Sequence, residues 1–256
     1  FEAGGADFST ESQDYYSGDV IGDKYFPLNI SRLRYFGGAS GHWGGWCKPL
    51  DKHDLADWPI NYNDLRKYLS KAAEILEIDG NFRNKYINED FNQINFQFST
   101  PVRFKEKYYE KIVKSKKIGL CLDSPLLKII GDDKGNADKI EILNNNNKKT
   151  FKVKTLILGC GGIENSRILL WSQVNSNTKF LKNIKIGNFW MEHPHHKVGY
   201  FVGSAKKFLN YFDEKMFKYN MMFFSPSYNF IKKHQIRNAA IRFNYLLDKI
   251  YIKRLI

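Results

Sequence analysis

The sequence predicts an α/β protein, and three observations predict it. Thr155-Leu156-Ile157-Leu158 is a short apolar run that ends at Gly159 and passes through Gly161-Gly162 into a helical stretch. That is the pattern of a buried parallel strand feeding a glycine turn and a helix N-terminus. Leu65, Tyr68, Leu69, Ala72, Ala73 and Leu76 recur at three- and four-residue steps, the period of an amphipathic helix. Between residues 126 and 154, short strand-like runs alternate with turn-forming stretches. A chain of 256 residues is long enough for one large domain or two small ones, and 43% hydrophobic content is ordinary for a globular protein.

Composition removes several function classes. No apolar run approaches the length of about 18 residues that a membrane-spanning helix needs, so no membrane span is expected. Phe1-Glu2-Ala3-Gly4-Gly5-Ala6-Asp7 has no basic region followed by an apolar stretch, so it is not a signal peptide. It also lacks a starting methionine, and the chain reads as an internal fragment. The net charge is +13, but lysine is scattered along the chain and travels with asparagine and isoleucine. A nucleic-acid surface gathers its cations on one face, so no nucleic-acid partner is expected. Cys47, Cys121 and Cys160 are far apart, with no Cys-x-x-Cys. Neither a zinc site nor a disulfide framework follows, and reduced thiols in a cytoplasmic protein are expected.

In chain order, Phe1 to Gly5 reads as the end of a strand running into a glycine turn. In dinucleotide-binding βαβ units the second strand ends in an acid that accepts both ribose hydroxyls, and Glu2 sits at such a place; read alone, it is a turn residue. The G-x-G-x-x-G that should precede it is absent. Ala6 to Ile30 is polar and irregular. Arg32 to Cys47 then holds five glycines, two arginines, one histidine and two tryptophans in sixteen positions. Glycine lets the backbone turn sharply and lie against a ligand, and Ala39 and Ser40 keep that approach open. This describes a backbone cradle with a flat ring close by. The plainer alternative is a surface glycine turn with two buried tryptophans.

After Trp58-Pro59-Ile60, Asn63 or Asp64 caps a helix that runs to Leu76. Asp79 to Gln97 reads as loop with one short element, and Tyr108 to Lys117 as helix. Strands are expected at Ile118–Cys121, Leu126–Ile130, Ala137–Leu143 and Phe151–Lys154, with turns at Asp132–Asn136 and Asn144–Lys149. Glu164 and Asn165 fall in the first turn of the helix after Gly161-Gly162, where a carboxylate suits the helix dipole. His193, His195 and His196 invite a metal reading, but Pro194 breaks any helix and no acidic or cysteine partner stands at ligand spacing, so no metal site is expected. Tyr200, Val202, Met221 to Phe224, Ile241, Phe243 and Tyr245 suggest strands of a second domain. His234 reads as solvated loop.

The run from Arg32 to Cys47 resembles the flavin-contacting loop of the glucose–methanol–choline (GMC) oxidoreductases. Its His42-Trp43 pair is most similar to the pyranose oxidase and sugar dehydrogenase branch. Trp58-Pro59-Ile60 with the Asp64-Leu65 helix, the Thr155–Leu170 block and His193-Pro194 fit the same family in the same order. The resemblance covers Phe1 to about Pro194 and is weak beyond it. It implies an FAD/NAD(P)-binding Rossmann-like domain without its first βα unit, joined to an incomplete α+β substrate domain. Residues 1–60 and 101–190 would belong to the FAD side. Residues 61–100 would be helix and loop on the substrate side, and 191–256 the substrate domain.

The resemblance further implies an FAD-dependent oxidoreductase that takes a hydride from the CH–OH group of a sugar or other small alcohol. It places Glu2 at the ribose. Arg34, Gly37, Gly38, Ala39, Ser40, His42, Trp43 and Gly44 fall in the flavin loop, the Leu126 backbone at the adenine, and Gly161 at the second glycine turn. In several members a histidine at the position of His42 is bonded to the flavin 8α-methyl group; a histidine that only packs against the ring or hydrogen-bonds within the loop is the alternative. The family's catalytic histidine lies in a C-terminal region that no stretch here matches, so no catalytic residue is expected in this chain, and no electron acceptor is indicated. The missing first βα unit and base also motivate a different expectation, a non-catalytic truncated product or a flavin-binding structural subunit.

Overall fold

A computed structural model of the chain describes residues 1–100, 102–176, 179–193, 195–200 and 221–244. The chain divides into two compact units, one of Phe1–His42 with Arg103–Lys197, the other of Trp43–Val102 with Val198–Ile256. The first division falls inside the glycine-rich run, at His42–Trp43, where the sequence suggested a change near residue 60.

The first unit is built on three antiparallel strands in the order β5-β6-β7, β5 Leu126–Gly131, β6 Ala137–Asn144 and β7 Asn147–Lys152. The β6–β7 hairpin turns at Asn145 and Asn146, both at positive φ (48° and 59°), a conformation asparagine tolerates and tight hairpins require. Helix α5, Gly162–Asn175, packs on β5. Ile129, Ile140, Ile142 and Ile168 are almost wholly buried in this layer, each worth about 2 kcal/mol of apolar burial. Ser172 is fully buried too; its hydroxyl donates to Ile168 O (2.6 Å) and accepts from Ile129 N–H (2.9 Å), so the helix also satisfies a backbone donor of β5. Among the described residues, the other α-helices of this unit are α1, Thr10–Asp14, capped by Ser9, and α4, Phe104–Val113.

The second unit carries a four-stranded antiparallel sheet in the order β2-β3-β8-β9, from Asn84–Tyr86, Phe91–Ile94, Met221–Pro226 and Ile241–Asn244. A separate pair joins β1, Trp46–Cys47, to β4, Gln97–Phe98. Ile94, Met222, Phe223 and Phe224 form its core, with Trp46 and Phe96 against the Phe223 ring at 5.4 and 4.6 Å.

The structure is thus mixed α/β with antiparallel sheets, and several expectations are corrected. Leu156 to Leu158 forms no strand, and Ile157 is 87% exposed. A strand needs at least one hydrogen-bonded neighbour, and among the described residues no strand pairs with this run. Ile118–Cys121 is irregular for the same lack of a regular ladder. The helix expected from 63 to 76 is two helices, α2 Tyr62–Arg66 and α3 Leu69–Leu76, and Asn61 rather than Asn63 or Asp64 caps the first. The 108–117 helix starts and ends earlier, as α4. Residues 79–97 carry β2, β3 and the first residue of β4 rather than one short element, and His234 ends a helix, α6 Tyr228–His234, not a loop. Val198 and Tyr200 are exposed and irregular. Pro194, Val202 and Tyr245 lie outside the described residues.

Candidate functional site

Three segments distant in sequence meet in the first unit. Glu2 N–H donates to Cys121 O and Glu2 O accepts from Ser124 N–H, both at 2.8 Å. A residue whose two bonds go to different residues on one neighbour is paired in parallel fashion; the spread is one residue wide of ideal where Asp123 takes positive φ (47°). This sets Glu2 beside the entry to β5 at Leu126, which pairs with Ile142. The Glu2 carboxylate accepts from Gly4 N–H at 3.0 Å, an acid folded over a glycine turn. Gly4 is buried flat against Arg34 O, and Phe36 N–H donates to Gly5 O at 2.9 Å.

The approach to the glycine run is held from two sides. Gln13 is buried, and its amide donates to Asn29 O and Arg32 O and accepts from Arg34 N–H. The Arg34 guanidinium donates to Ser12 Oγ and lies 4.9 Å over the Tyr15 ring. The Arg32 guanidinium lies 4.0 Å over Tyr16 and pairs at 3.0 Å with Glu164 Oε1. Glu164, on the first turn of α5, takes Arg167 on its other oxygen at 2.7 Å. Desolvation raises the Tyr16 phenol above its ordinary value, with Glu164 adding to the rise and Arg32 opposing it.

The glycine run itself is a short 3₁₀ turn, Gly38–Gly41, entered through Gly37 at φ +99°. A Cβ on Gly37 would reach Lys105 N at 3.0 Å, so the positive φ and the close approach to α4 both call for glycine. Ser40 Oγ donates to Gly37 O at 2.6 Å and accepts Phe104 N–H at 3.0 Å, while Arg103 donates to Ser40 O. Ser40 is therefore the N-terminal cap of α4, supplied from outside the helix. Ser40→Ala is expected to cost about 1 kcal/mol and to lower the melting temperature by about 3 °C in thermal unfolding followed by circular dichroism. Ala39 and His42 are exposed. Trp43 and Gly44 fall in the second unit, where the Trp43 indole donates to Val102 O at 2.9 Å.

Gly161 caps α5 at φ +85° with no side-chain cap bond, and open space surrounds it and Gly159. Asn165 ties this turn down, accepting from Cys160 N–H and donating to Leu158 O. Cys160 is exposed, yet neighbouring atoms desolvate its thiol and Glu164 and Glu2 add negative charge, which raises it above the ordinary value. It stands protonated at neutral pH and is not a poised nucleophile.

Glu2, Arg34, Gly37, Gly38, Ala39, Ser40, His42, Leu126 and Gly161 thus all lie in one unit. The sequence reading missed Gln13, Arg103 and the Glu164 pairing with Arg32. Their partners lie 16 to 132 residues away, and no spacing rule marks contacts of that range. It also missed Asp51, His53 and Asp54 of the second unit, whose ligand-capable atoms lie within 4.8 Å of one another. Lys48 and Asn238 already bond to Asp51, and Asn238 to Asp54. The two acids also cap a 3₁₀ turn over Lys52–Leu55, which accounts for them without an ion.

No protein-family model matches this chain, and no curated protein matches it either. The described residues contain no helix long and apolar enough to cross a membrane.

Proposed function

We propose that this chain supplies the flavin-binding residues of an FAD-dependent oxidoreductase of GMC type, acting on the CH–OH group of a sugar or other small alcohol. The observation that carries the reading is the convergence just described. The Glu2 turn, the Arg32–Gly41 run and the Gly161-Gly162 turn are the stretches that resemble the family, and hydrogen bonds and an ion pair join them within one unit.

The residues present fit the cofactor in part. Open space at Gly159 and Gly161 beside an uncapped helix N-terminus suits the anionic half of a dinucleotide. The exposed Ala39 and the exposed His42 suit a flat ring. Glu2 would bond the ribose, Gly37 and Gly38 would let the backbone lie against the ring, and Leu126 would offer its backbone to the adenine. Ser40 and Arg34 are engaged with α4 and α1, so their part is to hold the run in shape. When bound, the flavin accepts the hydride; the proton acceptor and the electron acceptor are not among the residues assigned here. Three unpaired cysteines suit a reducing, cytoplasmic setting.

The test is direct. The purified protein, incubated with excess FAD and desalted, is expected to retain a flavin absorption spectrum. On acid precipitation the colour should stay with the wild-type pellet and pass to the supernatant for His42→Ala. Colour in the wild-type supernatant would leave the cofactor reading and remove the covalent bond. A protein that retains no flavin overturns the reading and leaves a non-catalytic product.

A further inference from the structure

The Glu164 carboxylate is only 9% exposed, yet it lies on the first turn of a helix that opens at a solvent-exposed glycine. It is shared by two guanidiniums, Arg32 at 3.0 Å and Arg167 at 2.7 Å. The two partners are unlike. Arg167 is one turn along the same helix and half exposed, so that bond adds little beyond local helix structure. Arg32 comes from 132 residues away and is 17% exposed. It is also fixed by the Tyr16 ring beneath it and by Leu28 O, which accepts from its Nε.

Four residues separate Arg32 from Gly37, and little slack lies between them. Gln13 holds the backbone at Arg32 and Arg34, Gly5 O holds Phe36 N–H, and the Tyr35 hydroxyl sits over Gly41. A tether at Arg32 is therefore felt at the glycine turn. The opposite end of the run is held by α4 through Ser40.

We infer that Glu164 is a positioning residue: through Arg32 it fixes the glycine run over Gly37–His42 relative to the Gly161-Gly162 turn, and so sets the spacing of the two backbone cradles that one dinucleotide would span. This rests on the proposed flavin reading for its ligand, but the latch itself is a property of the chain. A buried ion pair adds little net stability over a well-packed apolar replacement. A role in fixing one geometry accounts better for placing a carboxylate there.

The experiment compares wild type, Glu164→Gln and Arg32→Gln by hydrogen–deuterium exchange without flavin, and by FAD titration. Glu164→Gln keeps the shape and one accepting oxygen but loses the charge and the second acceptor. Peptides covering residues 35–42 are expected to exchange at least tenfold faster in both variants, while β6 and β7 keep their protection. FAD affinity should fall about tenfold in each, and no further in the double variant, since both residues act through one bond. Unchanged exchange at 35–42 in folded variants overturns the latch. Uniformly faster exchange across β6 and β7 also overturns it, because the pair would then serve general stability. If the wild type binds no FAD while the local exchange effect is present, the flavin reading fails and the latch stands.

Discussion

Gly4→Ala is expected to destabilise the protein by about 3 kcal/mol, the upper range for forcing an extra methyl into packed structure. A Cβ built on Gly4 would stand 2.1 Å from Arg34 O, 2.7 Å from Arg34 C and 3.0 Å from Tyr35 Cα. These are backbone atoms, so no rotamer change makes room. Neither segment can step aside cheaply. Glu2, Gly4 and Gly5 are bonded to Cys121, Asp123, Ser124 and Phe36 through backbone groups at 2.8–2.9 Å, and the Arg34 side is clamped by Gln13. Gly5→Ala is the control: its nearest neighbours are the Asp123 carboxylate oxygens at 3.6 Å, an ordinary contact. Thermal unfolding should show a loss of about 8 °C for Gly4→Ala and under about 2 °C for Gly5→Ala. Equal, small losses would mean that the Glu2 turn does not sit against Arg34.

Gln13→Leu should be nearly as costly, about 3 kcal/mol. Leucine fills almost the same volume, so little cavity is created, and the effect isolates the hydrogen bonds. Three backbone groups, Asn29 O, Arg32 O and Arg34 N–H, lose their partner at once. A buried polar group left unpaired costs about 1–3 kcal/mol, reduced here because these sites are only partly buried. Gln13→Glu should not rescue. A carboxylate can still accept from Arg34 N–H but cannot donate to the two carbonyls, and it would face them with negative charge. Urea unfolding, read as a midpoint shift at constant slope, separates this loss of stability from a change in compactness. A Gln13→Glu variant as stable as wild type would show that the two carbonyl bonds contribute nothing.

The hairpin and the α5 turn were legible because their signals are local. Asn145-Asn146 and Asp132–Asn136 are turn chemistry written in adjacent residues, and Ile140 and Ile142 of β6 alternate as a half-buried strand must. The helix after Gly161-Gly162 was legible for the same reason. The strand at Leu156–Leu158 was misread because apolar content speaks for burial, not for a partner, and a strand is stabilised by what lies beside it. The single helix over 63–76 was misread because the apolar spacing runs unbroken across Lys67 and Tyr68, where the helix is interrupted, and Asn61 binds the first free N–H groups two residues earlier than expected.

The candidate site divides along the same line. Sequence by itself offered the candidates: glycines at 37 and 161, small Ala39, an acid at Glu2, a histidine at 42. The glycines and Ala39 follow from side-chain size and backbone freedom; the parts given to Glu2 and His42 are what the family resemblance implies. Only the tertiary structure decided which of them share a unit and which are engaged elsewhere. It committed Ser40 to α4 and Arg34 to α1, and it joined Arg32 to Glu164 across 132 residues. It also assigned Trp43 and Gly44 to the other unit. The physical reason is range: conformational preference acts over a few bonds, whereas burial and ion pairing act between whatever surfaces the folded chain brings within a few ångströms.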